Sequence, residues 1–254
     1  MMPAPKLVLK SAPKPAPAPT ALQLLNQRIV ACERCPRLRA YCTGIAQKKR
    51  RAYMDEIYWG RPVPAFGDEN ARLLILGLAP GAHGSNRTGR PFTGDGSGNF
   101  LYPVLHEAGF ASQAMARSAQ DGMRLKDVLI TSVGRCAPPG NKPTPEELQN
   151  CSVFLDEEMA LLKRLRVVVC LGGIAWKGYL QHLRRVGYGE ATSGLVFAHG
   201  AEYKLANGRW LLGSYHPSLQ NTNTGKLTRE MFLAVFLRAK QLLASPAAQA
   251  SPRV

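Results

Sequence analysis

Six cysteines and five histidines are the first residues in this 254-residue chain to ask about chemistry. Cys32-Glu33-Arg34-Cys35 is a C-x-x-C pair, a spacing that lets two thiolates reach one centre. Cys136 and Cys151 bracket the Pro/Gly-rich loop Ala137-Pro138-Pro139-Gly140-Asn141-Lys142-Pro143 and complete a four-thiolate set. Zinc and a [4Fe-4S] cluster both accept four cysteines. The wide, uneven spacing and the lack of a second C-x-x-C favour the cluster and leave zinc as the alternative. Cys42 is a substitute for one ligand. Cys170, inside Val167-Val168-Val169-Cys170-Leu171, reads as a small buried hydrophobe.

A second concentration of reactive types lies in loop 77–95, Gly-Leu-Ala-Pro-Gly-Ala-His-Gly-Ser-Asn-Arg-Thr-Gly-Arg-Pro-Phe-Thr-Gly-Asp. Small residues such as Gly81 let a ligand approach the backbone. His83, Asn86 and Arg87 can shape the loop and meet a substrate backbone, Phe92 can stack on a flat base, and Asp95 supplies the carboxylate. Such a mixture suits a phosphate-bearing substrate with a planar base. Phe92 also reads as ordinary core, and Asp95 as the cap of a helix starting near Gly98 or Asn99. A third cluster is His216-Pro217-Ser218-Leu219-Gln220-Asn221-Thr222, a histidine opening a loop of amides and hydroxyls. His216, Ser218 and Asn221 can serve a nucleic-acid contact there.

These loops need elements to hold them. Short apolar runs at 73–76, 128–132, 167–171 and 211–214 read as strands covered on both faces. Helical stretches at 21–30, 99–108, 145–165, 174–183 and 228–243 alternate with them. The alternation predicts a three-layer α/β/α sandwich around a small central parallel sheet. In such sheets the site forms at the C-terminal ends of the strands, where both loops and Ser132 fall. Thr144-Pro145-Glu146-Glu147 carries a helix start: N-cap, proline at the first position, acids in the first turn.

Lys and Arg number 33 against 17 Asp and Glu, a formal charge of +16 that favours a polyanionic partner, nucleic acid first and an anionic membrane surface second. No apolar stretch approaches the ~20 residues of a spanning helix, and residues 1–20 lack the apolar core of a secretion signal. The expectation is a cytoplasmic, nucleoid-associated monomer. Its domains are a basic Ala/Pro-rich tail at 1–20, one catalytic domain at 21–244 and a frayed tail at 245–254.

Taken together, loop 77–95, Arg135-Cys136-Ala137-Pro138-Pro139 with Asn141-Lys142-Pro143-Thr144-Pro145, and His216-Pro217-Ser218 with Gln220-Asn221-Thr222 resemble the uracil-DNA glycosylase superfamily. The match is to its family 5, or B-type, with family 4 the next relative, and it runs from about residue 32 to about 243. The resemblance implies hydrolysis of the bond between a damaged base and its deoxyribose in DNA, leaving an abasic site. It implies a structural [4Fe-4S] cluster on Cys32, Cys35, Cys136 and Cys151. His216 becomes the donor to the departing base and Phe92 the stacking platform. Where other families place an Asp, Asn or Glu early in the first motif, this chain has Leu78 and Ala79, as is typical of family 5. Asp95 is then the acid left to position water or stabilise the sugar cation. Ser132 stands where uracil-specific relatives often have asparagine, which predicts tolerance of other deaminated bases such as hypoxanthine. Arg135 is open to phosphate or solvent, and His199 to the site or the surface. The rival class is a non-catalytic DNA-binding protein using a cluster as damage or redox sensor.

Overall fold

The computed structural model describes residues 18–245. Most of both expected tails therefore lies outside the described residues, while residues 18–20 already lead into a helix. The elements are α1 (Ala21–Val30), α2 (Pro36–Lys48), β1 (Phe66–Gly67), β2 (Leu73–Gly77), α3 (Ser85–Thr88), α4 (Gly96–Glu107), β3 (Val128–Ser132), α5 (Pro145–Leu161), β4 (Val167–Leu171), α6 (Gly173–Arg185), β5 (Glu202–Lys204), β6 (Trp210–Ser214), α7 (Leu219–Asn223) and α8 (Arg229–Ala244).

The strand order is β1-β3-β2-β4-β6-β5. The four inner strands are parallel, with Ile75 registered against Ile130 on one side and Val169 on the other. The two edge strands run antiparallel. Sequence pattern marked the inner four and missed both edges, because two or three residues leave no apolar run to recognise.

Period-two alternation divides the inner strands between two apolar layers. Leu73, Ile75, Ile130, Val169 and Leu212 face α4 and α8, where Tyr102, Phe232 and Phe236 are buried. Leu74, Leu76, Leu129, Val168, Cys170 and Leu211 face α5 and α6, against Leu155, Trp176 and Tyr179. Cys170 is thus core, as its apolar setting implied. Each face buries enough apolar surface that the strands cannot slip by one residue without exposing a whole layer.

Helix starts follow their chemistry. Thr20 and Thr144 each form a capping box, with Gln23 and Glu147 returning the bond. Asp95 accepts from the Gly98 amide at 3.1 Å, so α4 begins at Gly96, three residues before the pattern suggested. Helix α5 ends at Leu161, four residues earlier than expected, and its cap gives way to the turn that feeds β4. Helix α2, unmarked in the sequence, starts with Pro36 at its first position, directly after Cys35.

Candidate active site

A cavity of about 530 Å³ opens at the C-terminal ends of β2, β3 and β6. Its wall includes Phe92, Asp95, Ser132, His216 and Ser218, and Gly81 lines its floor. Loop 77–95, the end of β3 and the loop after β6 converge here as the parallel-sheet rule requires.

Phe92 rests its ring on the backbone of Gly77, where an added methyl group would come within 2.9 Å of Cζ. Its φ of 50° is left-handed, a conformation a phenylalanine holds only when its surroundings over-determine it, at about 1–3 kcal/mol. The ring packs against the α4/α8 core on one side. On the other it meets His216, ring centroids 5.9 Å apart and planes 32° apart. Phe92 is therefore both core and cavity wall.

His216 follows β6 by two residues and is half-buried. Burial pushes its imidazole down to about 4, so it is neutral at physiological pH and acts as an N–H donor or a nitrogen acceptor. Its carbonyl accepts from Asn221 Nδ2 at 2.8 Å, which fixes the start of the loop. Ser218 caps α7 through the Asn221 amide. Asn221 thus acts on the loop from behind, and Gln220 is its neighbour that reaches the cavity.

Asp95 does two jobs. One oxygen caps α4, while the other lies over the Gly81 and Gly84 backbone, where a side chain on Gly84 would overlap it. Burial raises its carboxyl above the ordinary range, opposed by the Gly98 and Ser97 amides and the Arg87 charge. Ser132 is buried at the end of β3, and its hydroxyl donates to the Gly134 carbonyl at 2.7 Å. With its one proton so used, it offers the cavity an acceptor.

Other expected site residues lie elsewhere. Asn86 is fully buried, with Nδ2 shared between the carbonyls of Cys42 (3.3 Å) and Ala82 (3.4 Å). Arg87 is buried too: it donates to the His83 and Gly94 carbonyls at 2.8 Å each, pairs with Glu56, and stacks 3.9 Å over Tyr53. These two side chains brace loop 77–95 from beneath and do not line the cavity. His83 bonds Tyr58 Oη through Nδ1 at 3.0 Å and lines a neighbouring trough. Arg135 neither faces solvent nor is free for phosphate, because it is buried against Glu158 at 2.7 Å. His199 accepts from the Tyr215 amide at 3.3 Å and positions that residue. Sequence reading missed Leu219, an apolar residue 58% exposed at the cavity mouth. Its signal was a leucine alone among the polar residues after His216.

The sulfur-bearing residues form a second locus. Cys32, Cys35, Cys136 and Cys151 line one pocket, reached from the turn between α1 and α2, the 132–144 loop and α5. The Arg135 amide donates to Cys151 Sγ at 3.3 Å, and Asn150 Nδ2 to Cys35 Sγ at 3.8 Å. Burial pushes the Cys151 thiol up to about 11. Cys42 is buried beside Cys136, its thiol directed to the Ala137 carbonyl at 3.6 Å, and does not line the pocket. Among the described residues no three His, Cys, Asp or Glu side chains are gathered tightly enough for a single metal ion.

Strand-end loops that bring a neutral histidine, an aromatic wall and a desolvated carboxylate to one cavity of an α/β sheet describe a ligand site with room for a flat group. Residues 64–240 match the family described as "Uracil DNA glycosylase superfamily", and the chain belongs to it. It is 55% identical over 216 residues to the Type-5 uracil-DNA glycosylase of Thermus thermophilus, covering 85% of this chain and 95% of that one. It is 48% identical to a Type-5 uracil-DNA glycosylase of Mycobacterium tuberculosis, over 86% of this chain and 80% of the other. The Type-5 uracil-DNA glycosylase of Pyrobaculum aerophilum is 46% identical, over 84% and 89%.

Proposed function

We infer that this protein is a monofunctional DNA glycosylase that excises uracil, hydrolysing the N-glycosidic bond and leaving an abasic site for base excision repair. Identity of 46–55% over most of the chain to the Type-5 enzymes supports the activity. The observation that carries the mechanism is the joint presence of His216, Asp95 and Phe92 on one cavity wall. The target nucleotide leaves the stack and enters the cavity, where its base lies against Phe92. Neutral His216 donates a hydrogen bond to the base oxygen as negative charge grows there, a contribution of about 3–4 kcal/mol in comparable preorganised sites. Asp95 faces the sugar side, stabilising the positive deoxyribose and orienting the attacking water. No proton needs to pass from the histidine, which burial keeps from charging.

The substrate range extends to hypoxanthine. Ser132 presents an acceptor, so it takes a ring N–H, a group that uracil and hypoxanthine share. A single-turnover panel of duplexes with one uracil, one hypoxanthine or normal bases, developed with alkali, tests both statements. Cutting confined to uracil removes the wider range, and no cutting at any lesion removes the enzyme and leaves the DNA-binding sensor.

Cys32, Cys35, Cys136 and Cys151 hold a [4Fe-4S] cluster. An all-sulfur donor set with N–H groups aimed at two of the sulfurs fits that group. Holding it there, the four cysteines would tie the turn between α1 and α2, the 132–144 loop and α5 together, a structural role away from the catalytic cavity. Iron and sulfide analysis of anaerobically purified protein tests it: zinc in place of iron overturns the assignment. The enzyme works as a monomer on DNA in the cytoplasm, at the nucleoid.

A further inference from the structure

Beside the catalytic cavity runs a second trough of about 430 Å³, lined by Tyr41, Arg50, Tyr53 and His83. The two are continuous: Gly81, Asp95, Gly96, Pro138, Asn141 and Leu219 line both. Nothing in the base-excision chemistry uses this space, since the base and the reacting sugar bond occupy the first cavity.

One cation, Arg50, lines it, together with the carboxylate of Asp95, and two further cations stand on the adjoining chain. Lys48, Arg50 and Arg51 are exposed where α2 runs into the 3₁₀ turn Arg51–Tyr53. Among the described residues none of the three is paired with a carboxylate. Of the two acids in the same segment, Glu56 is paired with Arg87, and Asp55 is exposed beside it. Arg50 is tied to its surroundings through its backbone, which donates from N to Tyr58 Oη at 3.3 Å and accepts at the carbonyl from the Tyr53 amide at 2.8 Å, and among the described residues its guanidinium has no hydrogen-bond partner. The field of Arg50 reaches His83 on the trough floor, where burial first and then the Arg50 and Arg87 charges lower the imidazole. Elsewhere in this molecule arginines near loop 77–95 are spent internally: Arg87 on Glu56 and Arg90 on Asp121. Arg50 stands apart from them by facing outward.

The walls match a nucleotide next in line. Tyr53 is half-buried and held in place by the Arg87 guanidinium stacked on its ring, and Tyr41 is half-buried against the Cys42/Cys136 cluster. Neither phenol is hydrogen-bonded to the protein among the described residues. Rigid aromatic faces with a free cation beside them are what a nucleic-acid strand takes without reading its sequence.

We propose that this trough holds the DNA strand immediately beside the extracted nucleotide, with Arg50 on the flanking phosphate and the adjoining sugar between Tyr41 and Tyr53. The proposal rests on the reading of the chain as a DNA glycosylase and adds where the strand runs. The phosphate lies on one side of the lesion only, because the trough opens from one side of the cavity.

The test compares wild type, Arg50→Ala, Arg50→Glu and Lys163→Glu, a charge change on the exposed turn before β4 at the opposite end of the sheet. Binding by fluorescence anisotropy and single-turnover cleavage are measured on a long single-uracil oligonucleotide and on two versions cut to one nucleotide on the 5′ or the 3′ side. Arg50→Ala should weaken binding several-fold and Arg50→Glu about tenfold at low salt, with the slope of log K against log salt reduced by about 1. Lys163→Glu should change little. Removing the flank that occupies the trough should lower wild-type affinity to that of Arg50→Glu, while removing the other flank should leave their ratio intact. All four proteins should melt alike, since the Arg50 side chain makes no contact the fold depends on. An unchanged salt slope, or an Arg50→Glu defect equal on all three substrates, overturns the proposal. Wild type that binds these oligonucleotides but cleaves none indicts the glycosylase reading instead, while the binding arm still judges the trough.

Discussion

The two loops that meet over the cavity are held very differently. Loop 77–95 is pinned from beneath: Arg90 is buried and bidentate with Asp121 at 2.7 and 2.8 Å, Arg87 joins the His83 and Gly94 carbonyls of the loop to Glu56 and Tyr53, and Phe92 is wedged on Gly77. The loop after β6 rests on a Ser218 cap, one Asn221 side-chain bond and a five-residue helix with no buried residue. The contrast separates two tasks. On the proposed function, a mould for a flat base must not deform, whereas a segment that meets the duplex beside the lesion must adjust to it. Both are glycine- or polar-rich in sequence, and only the packing distinguishes them.

The largest effect expected from breaking this difference is at Arg90. Arg90→Ala leaves Asp121 buried with its charge, which Arg90 and three backbone amides otherwise hold well below the carboxylate range against the opposing effect of burial. Loss of one partner of a buried pair costs about 3–5 kcal/mol, read as a fall in the urea midpoint. A change under about 1 kcal/mol would mean that the first loop is not rigid in the sense argued. Next comes His216→Ala, expected to slow single-turnover cleavage by about 10²–10³-fold with little loss of stability. In wild type the histidine, ordinarily near 6.5 in an unfolded chain, is about 4 when folded. The unfolded state therefore binds its proton first, and stability falls as pH drops from about 6.5 to 4, by at most about 3 kcal/mol. His216→Ala should flatten that part of the acid-stability curve. Equal acid slopes for the two proteins would show that His216 is solvated and charged, contrary to a buried donor.

Asp95 gives a smaller and more discriminating pair. Asn keeps the N-cap on α4 while removing the carboxylate, and Ala removes both. Asp95→Ala should lose about 1 kcal/mol of stability and Asp95→Asn almost none. Both should slow cleavage alike if the carboxylate serves the sugar cation. An Asp95→Asn variant with a wild-type rate would leave the residue as a cap alone.

The sequence carried the sheet centre and the site's address better than it carried the identity of the working side chains. Runs such as Leu73 to Leu76 are buried on both faces, so apolarity alone marks them, and glycine or histidine at their ends marks the loops. Arg87 and Asn86 look like ligand residues by type, but their charge and amide are consumed by carbonyls that only folding brings near. Arg135 misleads in the same way, since its partner Glu158 is 23 residues away on α5. Asp95 was visible both as acid and as cap, and the fold caps α4 with it and sets it on the cavity wall. The trough along Arg50 left no local signature, because its walls come from α2, loop 77–95 and the 132–144 loop.

The finest test of the contrast between the loops is Asn221→Ala. Its amide makes a single hydrogen bond of consequence, to the His216 carbonyl, across a part-buried contact. Removing it should destabilise the fold by no more than about 1 kcal/mol, the range for one neutral bond. If that bond only stiffens a segment able to adapt, the rate at saturating DNA should fall modestly while the apparent affinity changes more, because the loop must be ordered on binding. Should cleavage at saturation drop as far as in His216→Ala, the histidine's position depends wholly on Asn221, and the second loop is as tightly specified as the first. Asn221→Asp separates these possibilities further. It keeps the size of the side chain but replaces the donor with an acceptor facing a carbonyl, and should be worse than alanine in affinity while leaving the melting of loop 77–95 untouched.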